Sequence, residues 1–214
     1  MFKTPLIATA IAGAALAATS AGSPAARPVD NPWFPLRPGT TFHYKGSEDG
    51  VPEVNIVAVT HKTKTIQGVK PVVVHDRVFK HGRVVEDTLD WFAQDAKGNV
   101  WYMGEGTKEL DAKGHVKSRE GSWEAGKNGA RKGIIMPAHP KVGMSYRQEF
   151  EKGHAEDFGK IVKIKGDRLT THEWSPLEPG VLDAKFYKRG LGETGETTLK
   201  GGHETLSLVR VTHD

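Results

Sequence analysis

The chain has 214 residues, no cysteine, and 30 Lys and Arg against 26 Asp and Glu, for a net charge of +4. The missing cysteines exclude disulfides, thiolate zinc sites, iron–sulfur clusters, thiol catalysis and a lipid anchor on an N-terminal cysteine. Charges of both signs are interspersed without a run of five of one kind. That argues against a nucleic-acid tail or a polybasic membrane segment, and leaves room for a weak attraction to an anionic envelope.

Residues 1–26 read as a secretory signal peptide. Lys3 is the basic n-region, residues 6–18 are an apolar run, and Ser23-Pro24-Ala25-Ala26 supplies small residues for cleavage. The run is shorter than the roughly 20 apolar residues of a membrane span, and no second one follows. The expected product is exported, periplasmic or secreted, without a transmembrane segment. Residues 27–39 hold four prolines around Trp33, Phe34 and Leu36. They predict an extended strap, its aromatics packed on the domain or closing a cavity.

Residues 40–214 predict one mostly-β domain with little helix. Residues 54–59, 72–79, 83–94, 99–105 and 205–211 are rich in β-branched and aromatic residues and bounded by turn formers. Lys80-His81-Gly82, Lys152-Gly153, Lys165-Gly166 and Lys200-Gly201-Gly202 read as turns. Asp95-Ala96-Lys97-Gly98 recurs as Asp111-Ala112-Lys113-Gly114, each copy between strand-like runs. The pattern predicts an antiparallel meander curled into a barrel or sandwich. Residues 121–140, rich in glycine, read as a long loop.

Two constellations could carry chemistry. With Lys152-Gly153 as a two-residue turn, Glu151 faces His154, Glu149 faces Glu156 and Arg147 faces Phe158. Alternation then gathers Arg147, Glu149, Glu151, His154 and Glu156 on one face. Such crowding suits acid–base catalysis by Glu149, Glu156 or Glu151, with Arg147 stabilising an anion. It suits equally a divalent cation held by Glu151 and His154, the one cofactor the sequence suggests. The second constellation is a hairpin through residues 95–98. There Trp91, Trp101 and Tyr102 offer flat faces to a ligand, and Asp90, Gln94 and Glu105 offer hydrogen bonds. The stretch from Gly121 to Asn128 falls short of a phosphate-cradling loop because Asn128 replaces the metal-binding hydroxyl.

Asn31-Pro32-Trp33-Phe34-Pro35-Leu36, Asp90-Trp91-Phe92-Ala93-Gln94-Asp95, Gly98-Asn99-Val100-Trp101-Tyr102, Gly121-Ser122-Trp123-Glu124-Ala125-Gly126, Gly133-Ile134-Ile135-Met136-Pro137 and Arg147-Gln148-Glu149 occur together. In these phrases the chain resembles a group of exported bacterial proteins described only as hypothetical. The resemblance spans nearly all of residues 27–214 and implies one secreted domain. It brings no activity and no functional residue with it.

The leading expectation is an exported binding protein for a small molecule or cell-envelope component, held in a β-sheet cavity. The alternatives are an extracytoplasmic hydrolase or lyase built on the Glu/His/Arg cluster, and a structural or partner-binding envelope protein.

Overall fold

The structure is a computed structural model and describes residues 27–214; the signal-peptide reading lies outside these. No helix occurs among the described residues. A first meander comprises β1 (Thr40–Glu48), β2 (Val51–Thr63), β3 (Val72–Lys80), β4 (Arg83–Gln94) and β5 (Val100–Gly106). A small hairpin, β6 (Glu109–Leu110) and β7 (Val116–Ser118), follows. Then come β8 (Trp123–Glu124) and β9 (Gly133–Met136). A second meander runs through β10 (Ser145–Arg147), β11 (Phe158–Lys165), β12 (Arg168–Trp174), β13 (Leu182–Lys188), β14 (Gly192–Lys200) and β15 (Glu204–His213).

The long-range pairing of β15 with β1 welds the two meanders into one antiparallel sheet, running from β10 through β15 and β1 to β5 and β8. The sheet curls but does not close. Its ends abut where Arg131 N donates to Phe150 O at 2.8 Å, and where a Cβ on Gly133 would stand 2.0 Å from Gln148 O. Only glycine lets the two backbones approach so closely.

Residues 121–140 are therefore not a free loop over an opening. β8 and β9 both hydrogen-bond along β5, and Trp123 packs edge-on against Tyr102 at 5.4 Å. The repeated turns are built alike. Asp95 Oδ1 accepts from Lys97 N and Asn99 N, and Asp111 Oδ1 accepts from Lys113 N and His115 N. In each, a short acidic side chain stands in for a backbone acceptor and fixes the turn.

The strand directions give the curled sheet two ends. At one end lie the starts of β1, β3, β5, β12 and β14, and the strap plugs it. Gln94 Oε1 accepts from Asp30 N and Asn31 N at 3.0 and 2.8 Å. Asn31 Nδ2 donates to Gly98 O and Pro137 O at 2.9 and 3.1 Å, and Asn31 Oδ1 accepts from Trp33 N at 2.9 Å. Trp33 is 2% exposed beneath the Arg189 guanidinium, and Phe34 meets Phe92 edge-on at 5.3 Å. Burying Trp33 gives the plug an apolar grip of about 2 kcal/mol, and the half-buried Phe34 adds less. Around it the core gathers Ile66, Val74, Val100, Met136, Ile161 and Leu169. At the other end, the turns after β1, β3 and β14 surround an open mouth.

Candidate functional site

Between plug and mouth lies a cavity of about 780 Å³, floored by Phe34, Pro35 and Leu36. Its walls are acidic. Asp76, Glu86, Asp90, Glu149 and Asp157 face it from one side, and Glu173, Asp183, Glu193 and Glu196 from the other. Glu48, Glu53, Glu109, Glu178 and Glu204 stand toward the mouth. Fourteen of the chain's 26 acidic residues thus line one cavity, with only three Lys or Arg among the described residues: Lys80, Lys117 and Lys185. The exterior is correspondingly basic.

Two β-bulges sharpen the acidic wall. β4 and β5 pair Phe92 with Tyr102 but Asp90 with Glu105, so β5 carries one extra residue between. The bulge turns Glu105 to the side of Tyr102. Gly104 permits it: its φ is +130°, and a Cβ there would stand 2.3 Å from Trp123 O. The second bulge lies beyond β10. Gln148 N and Glu149 N both donate to Asp157 O, at 2.7 and 3.4 Å, and both side chains reach the cavity.

The two bulges converge electrostatically. Tyr102 Oη donates to Asp90 Oδ1 at 2.5 Å, and Thr107 Oγ1 donates to Glu105 Oε2 at 3.0 Å. Burial, reinforced by the charge of Glu105, pushes the Asp90 carboxyl up to about 7. Burial likewise pushes Glu105 up to about 7. Glu149 rises well above the carboxylate range through burial and then the charges of Glu105, Asp157 and Asp90. Asp76 rises through burial and Asp90, against the hydrogen bond it accepts from Asn55 Nδ2 at 2.7 Å.

Across the cavity, Lys185 lies 3.6 Å from Glu173 and 3.4 Å from Glu196. Burial works against its charge, but Glu173, Glu196 and Glu193 outweigh it and raise its pKa. Glu193 is pushed up to about 8 by burial, with Glu196 and Glu173 adding to the rise. Its backbone carbonyl accepts from Tyr44 Oη at 3.1 Å. At the mouth, Lys80 is clamped between Glu48 and Glu53, and Glu204 is pushed up to about 8 by burial and by Glu196 and Glu53.

The predicted constellations are only partly assembled. Of the hairpin set, Asp90, Tyr102 and Glu105 come together, while Trp91, Trp101 and Gln94 do not join them. Trp91 lies under the Lys64 ammonium at 3.2 Å. Trp101 donates from Nε1 to Asp95 Oδ2 at 2.9 Å, and Gln94 holds the strap. Strand alternation is the reason for the two tryptophans: Phe92 and Tyr102, stacked at 4.6 Å, take the inner face and send Trp91 and Trp101 to the other. Gln94 shares the face of Phe92 but lies at the plugged end of β4.

The other set is dispersed. Arg147 does pair with Phe158 as expected, but the turn has three residues, so Glu151 bridges Ala155 and not His154. The bulge at Gln148–Glu149 restores the register beyond it. Glu149 alone of the five reaches the cavity. Glu156 Oε1 accepts from Gly153 N at 2.8 Å and so serves the turn. Arg147 is exposed on the outside over Phe150, at 4.2 Å. Glu151 is buried and His154 exposed. Among the described residues, no three His, Cys, Asp or Glu side chains are placed to hold a metal ion.

The residues that sequence reasoning missed are Asp76, Glu86, Glu173, Lys185, Glu193 and Glu196. Their only signal was spacing by two, as in Asp183, Lys185 and Tyr187. That spacing cannot say which face is the inside when both faces of a strand carry polar residues.

No protein-family profile matches the chain, and no curated protein does either. Two solved structures are similar at low identity. One is a provisionally described exported protein with a YmcC-like fold from Bacteroides fragilis. It shows 11% identity and a TM-score of 0.44 over 84% of this chain and 98% of that one. The other is a provisionally described lipoprotein from Parabacteroides distasonis, at 14% identity and a TM-score of 0.35, again over 84% and 98%.

Proposed function

We propose that this is an exported binding protein whose cavity takes one small, positively charged organic molecule, an amine in the widest sense. The observation that carries the reading is the charge partition, with fourteen carboxyl groups and three lysines around a single cavity. Its volume falls within the range of small-molecule sites, roughly 300–1,000 Å³. Carboxylates gathered at low dielectric repel one another, and a cation entering among them relieves that repulsion. Lys185 already neutralises part of the Glu173–Glu196 wall. Among the described residues, no ion pair involves Asp76, Asp90 or Glu149, so the ligand's charge belongs on that side.

Titration calorimetry with benzylamine and with the isosteric benzyl alcohol tests this. The amine is expected to bind with one-to-one stoichiometry and the alcohol not. Equal affinity for both, or no heat from either, overturns the reading.

One observation favours a second reading. Beside Tyr102, Asp90 and Glu105 are pushed up to about 7 and Glu149 is raised as well, so this wall exchanges protons near neutral pH, as acid–base catalysis requires. In a hydrolase or lyase of this kind Glu149 is the acid or base, and Arg147, Glu151 and Glu156 have no part. Loss of turnover in Glu149→Gln with folding kept would support it.

A further inference from the structure

The wall formed by β10–β13 separates charge by sign. These four strands contain two acidic residues, Glu173 and Asp183, and both line the cavity. Of their seven basic residues, only Lys185 joins them inside. Arg147, Lys160, Lys163, Lys165, Arg168 and Lys188 occupy the alternate, outward positions. The register shift between Ile161 and Lys163 keeps all three β11 lysines on that side. No ion pair among the described residues involves any of the six. Asp167, in the turn after β11, is exposed and is not paired with them.

Toward the plugged end three of the six form one row. Lys165 stands directly opposite Arg168, and Arg168 directly opposite Lys188. Like charges in directly opposed positions destabilise a sheet. Phe186 projects beside this row, 39% exposed, opposite Thr170, which in turn faces Lys163. An exposed aromatic set among unpaired cations matches the chemistry of a bilayer interface, where anionic headgroups overlie an apolar layer.

We propose that the outer wall of β10–β13 docks the protein on an anionic lipid bilayer, with the Lys165–Arg168–Lys188 row on the headgroups and Phe186 entering the interface. This is independent of what the cavity binds.

The test is co-sedimentation of the full chain with phosphatidylcholine vesicles, with and without phosphatidylglycerol, compared with the variant Lys165→Gln/Arg168→Gln/Lys188→Gln. The N-terminal stretch is the same in both proteins, so the difference reads the wall. The wild type is expected to prefer anionic vesicles. Removing three cations should weaken that preference about a hundredfold, and salt should abolish it. The three positions lie on the outer surface, and a thermal melt confirms that the variant folds. Lys165→Arg/Arg168→Lys/Lys188→Arg should bind as the wild type does. Equal binding by the wild type and the Gln variant overturns the proposal. So does equal binding to neutral and anionic vesicles, or capture of soluble dextran sulfate without vesicle binding.

Discussion

Tyr102 donates a 2.5 Å hydrogen bond to Asp90 from the adjacent strand, deep in a wall crowded with carboxyl groups. Burial raises the Tyr102 phenol, and Asp90 and Glu105 raise it further, so it stays a donor over the whole physiological range. Asp90 therefore keeps a hydrogen-bonded partner whether it is ionised or not, and its protonation is governed by burial first and then by the charge of Glu105.

Stability should fall as pH rises from about 5 to 9. Asp90 and Glu105 titrate near 7, and Glu193 and Glu204 near 8, in the folded protein. In the unfolded chain they titrate near 4. Between these limits the folded state holds more protons, so raising the pH favours unfolding. Melting temperatures across this range check the sign; a flat or rising profile contradicts it.

Glu149→Gln removes a buried carboxyl from the cluster while keeping its shape. The variant should be more stable than the wild type at pH 9, and by a wider margin than at pH 5, because burial and the neighbouring carboxylates raise this carboxyl. Urea denaturation at the two pH values measures it. A loss at pH 9 would show that Glu149 is held by partners that favour its charge.

Amine binding should strengthen as pH rises from 6 to 8, because the cation replaces protons on these same carboxyls. Calorimetry in buffers of different ionisation enthalpy should register protons released on binding. Proton uptake, or affinity independent of pH, would place the ligand elsewhere.

The plug gives a further prediction. Asn31→Ala removes three hydrogen bonds and leaves Gly98 O, Pro137 O and Trp33 N without that partner. The expected cost is about 2–4 kcal/mol, read from denaturant midpoints. A loss below about 0.5 kcal/mol would mean that the Asn31 side chain is not what seats the strap in the end of the curled sheet.

The repeated turns should respond unequally. Asp95 also accepts from Asn99 Nδ2 and Trp101 Nε1, both at 2.9 Å. Burial is the largest single influence and opposes its charge, but these bonds and those from the backbone together outweigh it and bring Asp95 down to about 2. Asp95→Ala should therefore cost about 1–3 kcal/mol. Asp111→Ala, on an exposed turn, should lower the melting temperature less. Equal losses would refute the distinction.

How far the sequence reaches can be judged from particular residues. Composition and alternation foretell β2, β3, β4, β5 and β15, because β-branched runs between glycine-bearing turns have few other outcomes. The paired Asp-Ala-Lys-Gly turns are equally legible, since the chemistry of an Asx turn is local. The site is legible only in part: the sequence names Asp90, Tyr102, Glu105 and Glu149, but not that the two sets meet. Glu105 and Glu149 reach the same wall only because a bulge shifts each by one residue, and alternation carries no mark of a bulge until the partner strand is known. The His154 pairing fails for a related reason, a turn one residue longer than its glycine suggests. Lys185, Glu173 and Glu196 are joined by contacts between strands that local patterning does not reveal.

The most direct measurement is native mass spectrometry of the protein purified gently from its own host. The account predicts one stoichiometric adduct whose accurate mass is that of a nitrogenous organic cation, lost when Asp90→Asn and Glu149→Gln are combined. A bound anion or neutral molecule, or an adduct that survives the double substitution, would contradict it.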